Sequence, residues 1–262
     1  MRVRQRVAAP PAREEEKWNA RPAFKATAIS LGDGVEKQLN DIRTSLNKIS
    51  AKMYDEMAVS IVAAIETVAA DAATMARVAQ FVFDVSSANK FFAKIYADLY
   101  KLLMTRFEIF GAFLTEFVRS YGAGAAELRY VNPEVDYDQY CLYTKSCDKR
   151  KAMAAFISHM AVNGSVATDV ICDIMEMLAS RTREHVSEAD RIAEVEEMAD
   201  VLAIFVTIGS PAARESAAWT ARISPAISAI ATMKSRDWPG LSSRALFKYQ
   251  DIATSIAAAP HK

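Results

Sequence analysis

"IRTSLNKISAKMYDEM", residues 42–57, is the stretch from which the fold can be read. Ile42, Leu46 and Ile49 recur at the spacing of one helix face, and Met53, Met57 and Val59–Ile61 take up the same period again. Only Ser50 separates the two patterns. The stretch therefore reads as two amphipathic helices meeting at a tight corner. Asn47 and Lys48 sit at that corner as polar edge residues.

Working outward, the helical period persists almost throughout. Met75, Val78, Val82 and Val85 form a stripe behind Asp71, an expected N-cap. Phe92, Ile95, Leu99 and Leu102, preceded by Asn89, form the next. Phe107, Phe110, Leu114, Phe117 and Tyr121 follow and end in "YGAGAAE". "LRYVNPEVDYDQY" breaks the period, because Pro133 cannot sit inside an unbroken helix. The period returns in "DKRKAMAAFISHMAVNG", with Met153, Phe156, Ile157 and Met160 inward and Gly164 as a C-terminal stop. Ser187 and Asp190 have capping-box spacing. Pro211 is expected in a first turn, and Pro225 at a kink or break.

The sum is about ten helices of roughly 14 to 25 residues, paired into units of about 40 residues. Pairs of that size cannot bury their own apolar faces and stack into solenoids. The expected class is all-α: a right-handed HEAT-type α-solenoid of about five antiparallel helix pairs spanning 35–258. Residues 1–34 show no sustained period and read as a flexible N-terminal arm carrying Trp18. A closed helical bundle is the competing architecture.

Composition agrees with this class. Apolar residues make up 52% of the chain, enough for a continuous core, while eight Gly and eight Pro are too few for a many-turned β protein. Lys plus Arg and Asp plus Glu are both 32, so any RNA contact must come from a local basic patch or a partner. Three cysteines suit a reducing compartment. The Arg-rich start lacks the apolar core of a secretory signal, and no stretch has the length of a membrane span. The expectation is a soluble, cytoplasmic protein with no membrane partner.

Catalytic chemistry finds no footing. His159, His185 and His261 have no metal-ligand spacing with a cysteine or carboxylate, and no Gly-rich phosphate loop follows a strand. Cys141 and Cys147 fall on different faces of a helix. "EADRIAEVEEMAD" reads as a solvated acidic face. A non-enzyme without cofactor or metal is expected.

Five segments, in order, resemble the middle domain of eukaryotic translation initiation factor 4G. "IRTSLNKISAKMYDEM" is similar to the signature that opens it. "VFDVSSANKFFAKIYADLYKLL" resembles its second repeat in Phe83, Phe92, Tyr96, Ala97 and Leu99. "AFISHMAVNGSVATDVICDIMEML" resembles the third in Phe156, Ile157 and Gly164. "FVTIGS" matches a Thr-Ile-Gly turn at 207–209. "SSRALFKYQDI" matches the closing helix in Ser242, Ser243, Arg244, Phe247, Gln250 and Asp251. "EKWNARP" resembles a Trp-containing segment that precedes the domain.

The resemblance implies a scaffold that binds a DEAD-box helicase of the initiation factor 4A type, touches RNA, and works in translation initiation. Leu46, Ile49 and Tyr54 fall at the family's helicase determinant. Leu46 and Ile49 also share the inward stripe, which makes them core residues as readily as contacts. Asn47 and Lys48 are the cleaner surface candidates. Trp18 matches the arm Trp that anchors the helicase, with docking onto its own helices as the alternative. Arg244 and Lys248 lie near the second expected lobe contact, with Lys234 and Arg236 just before them. Lys149, Arg150 and Lys151 form another basic patch, with mRNA as the partner implied. "YDQYCLY" matches, in Tyr137 and Leu142, the pattern that captures cap-binding factor 4E, although Tyr143 replaces the usual aliphatic residue or Phe. A related middle domain from an mRNA decay or splicing scaffold, or a plain HEAT interaction module, would share the fold without this helicase.

Overall fold

A computed structural model describes residues 35–69, 71–125 and 129–258. These residues contain ten α-helices and no strand. The helices are α1 (Val35–Lys48), α2 (Tyr54–Glu66), α3 (Ala72–Ala88), α4 (Ala93–Arg106), α5 (Glu108–Ala125), α6 (Tyr137–Val162), α7 (Thr168–His185), α8 (Ile192–Ala213), α9 (Ser224–Ala231) and α10 (Ser243–Ala258). The fold is all-α, as the period requires. No described helix is long and apolar enough to cross a membrane. The expected arm, 1–34, lies outside the described residues.

The even-numbered helices pack in succession, α2 on α4, α4 on α6, α6 on α8 and α8 on α10. Among the odd-numbered ones α1 packs on α3, α3 on α5, and α7 on α9. The two sets are joined where α1 meets α2, α3 meets α4, α7 meets α8 and α9 meets α10. One apolar core runs from Ile42 to Ile252. Its aromatic centre, Phe83, Tyr100, Phe110, Phe117 and Phe156, comes from four helices, with edge-to-face rings 4.4–6.1 Å apart. Tyr100, Phe110 and Phe156 are fully buried, and each such ring contributes about 1.5–3 kcal/mol by leaving water.

Local chemistry explains several boundaries. Asp71 caps α3, its carboxylate accepting the Thr74 backbone N–H at 2.9 Å and the Thr74 hydroxyl as well. These hydrogen bonds hold its carboxyl below the ordinary value. Asp136 caps α6 in the same way through the N–H of Gln139. Gly164 ends the connection from α6 at φ +81°, a conformation open mainly to glycine. Gly240 is held by closeness rather than conformation. Its N–H donates to Val186 O at 2.8 Å, and a Cβ there would lie 2.5 Å from Glu188 O and closer still to His185 O.

Other expectations need correction. The corner between α1 and α2 takes residues 49–53 rather than Ser50 alone, with the Met53 N–H donating to Ser50 O. The stripe of α4 is displaced. Tyr96, Leu99, Tyr100 and Leu103 are buried, whereas Phe92 is exposed and Ile95 and Leu102 are half-buried. Tyr96 and Tyr100 can go inward because their hydroxyls donate to Leu46 O at 3.0 Å and Phe110 O at 3.1 Å. α6 begins at Tyr137, so the break covers less of "LRYVNPEVDYDQY" than its polarity suggests. Ser187 forms no capping box; its hydroxyl donates to Glu184 O. Pro211 lies inside the last turn of α8, where the carbonyl left without a donor belongs to exposed Thr207. Pro225 stands in the first turn of α9, behind a π-helical turn at Trp219–Ile223.

The buried phenols give the fold an alkaline limit. Burial raises the pKa of Tyr96, Tyr100, Tyr121 and Tyr249 above the ordinary value. A folded pKa above the unfolded value of about 10 means that stability is complete below pH ~10 and is lost as pH rises beyond it. Thermal melts should be flat from pH 8 to 9.5 and fall steeply towards pH 11.5. An unchanged melting temperature at pH 11.5 would contradict this burial.

Candidate functional site

At the α1–α2 corner the sequence candidates separate into two sets. Leu46 and Ile49 are core residues, 0% and 4% exposed. The Leu46 carbonyl, one of those left free at the end of α1, is taken by the Tyr96 hydroxyl. Asn47, Lys48 and Lys52 are exposed. Tyr54 opens α2 half-buried against the core, and its phenol is held above the ordinary value by burial and by Asp98 and Asp55. The surface a partner can reach here is Asn47, Lys48 and the outer part of Tyr54. Trp18 lies outside the described residues.

Four of the basic residues read as two patches, Arg150, Lys151, Arg244 and Lys248, converge on one acidic face. Lys151, from α6, sits 2.8 Å from a Glu197 carboxylate oxygen and 3.3 Å from Asp200. Arg150 faces Glu197 at 3.8 Å. From α10, Arg244 reaches Glu196 at 2.7 Å and Asp200 at 2.9 Å, and Lys248 reaches Asp200 at 3.5 Å. Burial works to lower the Lys151 pKa, but the two carboxylates outweigh it and hold it above its ordinary value. Asp200 is the main cause of the same upward shift at Arg244.

This network corrects the reading of "EADRIAEVEEMAD" as a solvated face. Glu194 and Glu197 are buried, Glu194 paired with Arg191 at 3.0 Å and accepting the Tyr130 N–H. Their i, i+3 spacing with Asp200 was visible in the sequence; the cations that meet Glu197 and Asp200, more than forty residues away along the chain, were not. Within the network, Arg244 remains substantially exposed, so it can meet a partner while keeping its carboxylates. Arg150 and Lys151 are largely committed inward.

Lys149, Lys234 and Arg236 are exposed, the last beside Asp237 at 3.6 Å. Tyr137 and Leu142 are 67% and 56% exposed in the first two turns of α6. They join Val135 as unburied apolar side chains, whereas Tyr143 turns inward against Tyr130 and Tyr140. Among the described residues no group of His, Cys, Asp and Glu could hold a metal ion.

One feature has no counterpart in the sequence reading. Asn89 leaves the end of α3 and accepts the N–H groups of Phe91 and Phe92, both at 3.2 Å. This fixes a turn that projects Phe91, 94% exposed, beside a cleft of about 800 Å³ between that turn and α6. The only sequence signal was the doubled Phe after Lys90, of which helical periodicity took Phe92 for the apolar stripe.

In comparisons with known proteins the chain gives no significant match to a family model, to a curated protein or to a solved structure.

Proposed function

We propose that the chain is a HEAT-type α-solenoid scaffold, not an enzyme, that binds and stimulates a DEAD-box RNA helicase of the initiation factor 4A type in cytoplasmic translation initiation. The observation that carries this reading is the order of the resembling segments, from the 42–57 stretch to "SSRALFKYQDI" at 242–252. The succession of packed even-numbered helices, flanked by odd-numbered ones, supports the solenoid.

The scaffold acts as a two-point clamp. The Trp18 arm and the Asn47–Lys48–Tyr54 corner take one helicase lobe, and the Arg244–Lys248 face of α10 takes the other. Leu46 and Ile49 contribute by shaping the corner from beneath. A clamp stimulates only if it binds the closed arrangement of the lobes better than the open one, and its effect is bounded by that difference. Lys234 and Arg236 are the basic side chains left for mRNA, and Tyr137 with Leu142 is the surface left for factor 4E.

Calorimetric titration of the chain into such a helicase tests the clamp. Wild type should bind with a Kd of about 1 μM or lower, and Trp18→Ala and Lys48→Glu should each weaken it by about tenfold, roughly 1.4 kcal/mol. Binding that ignores both substitutions discards the clamp. Absence of binding by the folded chain discards the helicase assignment.

A further inference from the structure

We infer that the cleft between the α3–α4 turn and α6 is a docking site for a peptide segment of a partner protein, one that sets a large apolar side chain beside a carboxylate. Phe91, Lys90 and Lys149 are not among the proposed helicase contacts, and the inference stands whether or not the helicase binds.

Four observations carry it. Phe91 lies almost wholly in water, although such a ring gains by leaving it. The turn that holds it out is fixed by the two hydrogen bonds to Asn89, so the platform is preformed and little ordering accompanies binding. The cleft behind it has aliphatic walls, Val85 and Ala88 from α3 and Ala152 from α6, which suit an apolar side chain. Lys90 and Lys149 lie at the same cleft and have no carboxylate within ion-pair distance among the described residues.

The charge balance selects peptide over nucleic acid. Lys151 also lines the cleft, but its ammonium is committed to Glu197 and Asp200. That leaves Lys90 and Lys149 against the carboxylate of Asp148. Two free ammonium groups beside a fixed negative charge match one or two carboxylates. They do not form the cationic track that a phosphate backbone needs.

The test is selection of a random twelve-residue phage-displayed peptide library on the whole chain, with counter-selection on the Phe91→Ser, Lys149→Glu double variant. Both positions are exposed, so unchanged melting temperatures certify the variants, and Phe91→Tyr should retain binding. Recovered peptides should carry Asp or Glu within two residues of a large apolar residue. Resynthesised, they should bind at least about tenfold more weakly to either single variant, a difference of roughly 1.4 kcal/mol. A twelve-nucleotide oligouridylate should be indifferent to both substitutions. The inference is overturned if no peptide is enriched, if the peptides bind the variants as well as wild type, or if the oligouridylate is the ligand whose binding they abolish.

Discussion

Replacing Glu197 by alanine should lower the unfolding free energy by about 3–5 kcal/mol, because it leaves Arg150 without a carboxylate and Lys151 with a shared one in a largely dry site. Glu197 is 5% exposed and faces Lys151 and Arg150, both of which turn inward from α6. Loss of the carboxylate leaves Lys151 with Asp200 alone, at 3.3 Å, while Asp200 also serves Arg244 and Lys248. The pair itself need not be strongly stabilising, since desolvation offsets most of its attraction; breaking it is what costs. Glu197→Leu combined with Lys151→Met should therefore recover a large part of the loss. For a chain of this size each kcal/mol corresponds to about 2–4 °C, so Glu197→Ala should melt roughly 10 °C lower. High salt should change this difference little, because a buried pair is poorly screened. A shift of less than a degree would mean that water reaches the network freely.

Leu46→Ala is the second large effect and bears directly on the corner. Leu46, in α1, is fully buried, and its carbonyl accepts the Tyr96 hydroxyl from α4. Removing its isobutyl group leaves a cavity that close packing cannot collapse, at about 2–5 kcal/mol. Leu46→Ala should lower the melting temperature and weaken helicase binding together, whereas Lys48→Glu should weaken binding with no change in melting. If Leu46→Ala abolished binding at unchanged stability, Leu46 would be a contact and the corner would be packed differently from the structure described.

What the sequence revealed, and what it hid, follows the range of the interactions. Asp71 and Gly164 were legible because caps and left-handed stops are decided by a few neighbouring residues. Most of the stripes of α3 and α5 was legible because Met75, Val78, Val82, Phe110 and Leu114 carry no group that needs a remote hydrogen-bond partner. The face of α4 was misread because Tyr96 and Tyr100 turn inward only when remote carbonyls accept their hydroxyls. The same error sent Phe92 to the core, where the Asn89 turn does not allow it. Pro211 was misplaced because a proline late in a long helix offends only one carbonyl, and that one meets water. The acidic face of α8 was read as solvated because its cations arrive from α6 and α10. Its convergence with the Arg244–Lys248 patch is a tertiary fact that no window of sequence contains.

Leu46 and Ile49 show the limit of carrying a binding role over from a resemblance. By the resemblance they would be contacts, yet both side chains are buried. In the proposed clamp they can act only through the polar edge that they support, Asn47, Lys48 and Tyr54.

The most direct measurement is the RNA-dependent ATPase of a factor 4A-type helicase, at fixed RNA and ATP, as the chain is added. The scaffold reading predicts a saturable rise in rate, with Lys48→Glu shifting its midpoint to higher concentration. A rate that stays at the helicase's own level, while the chain is folded and in excess, would contradict it.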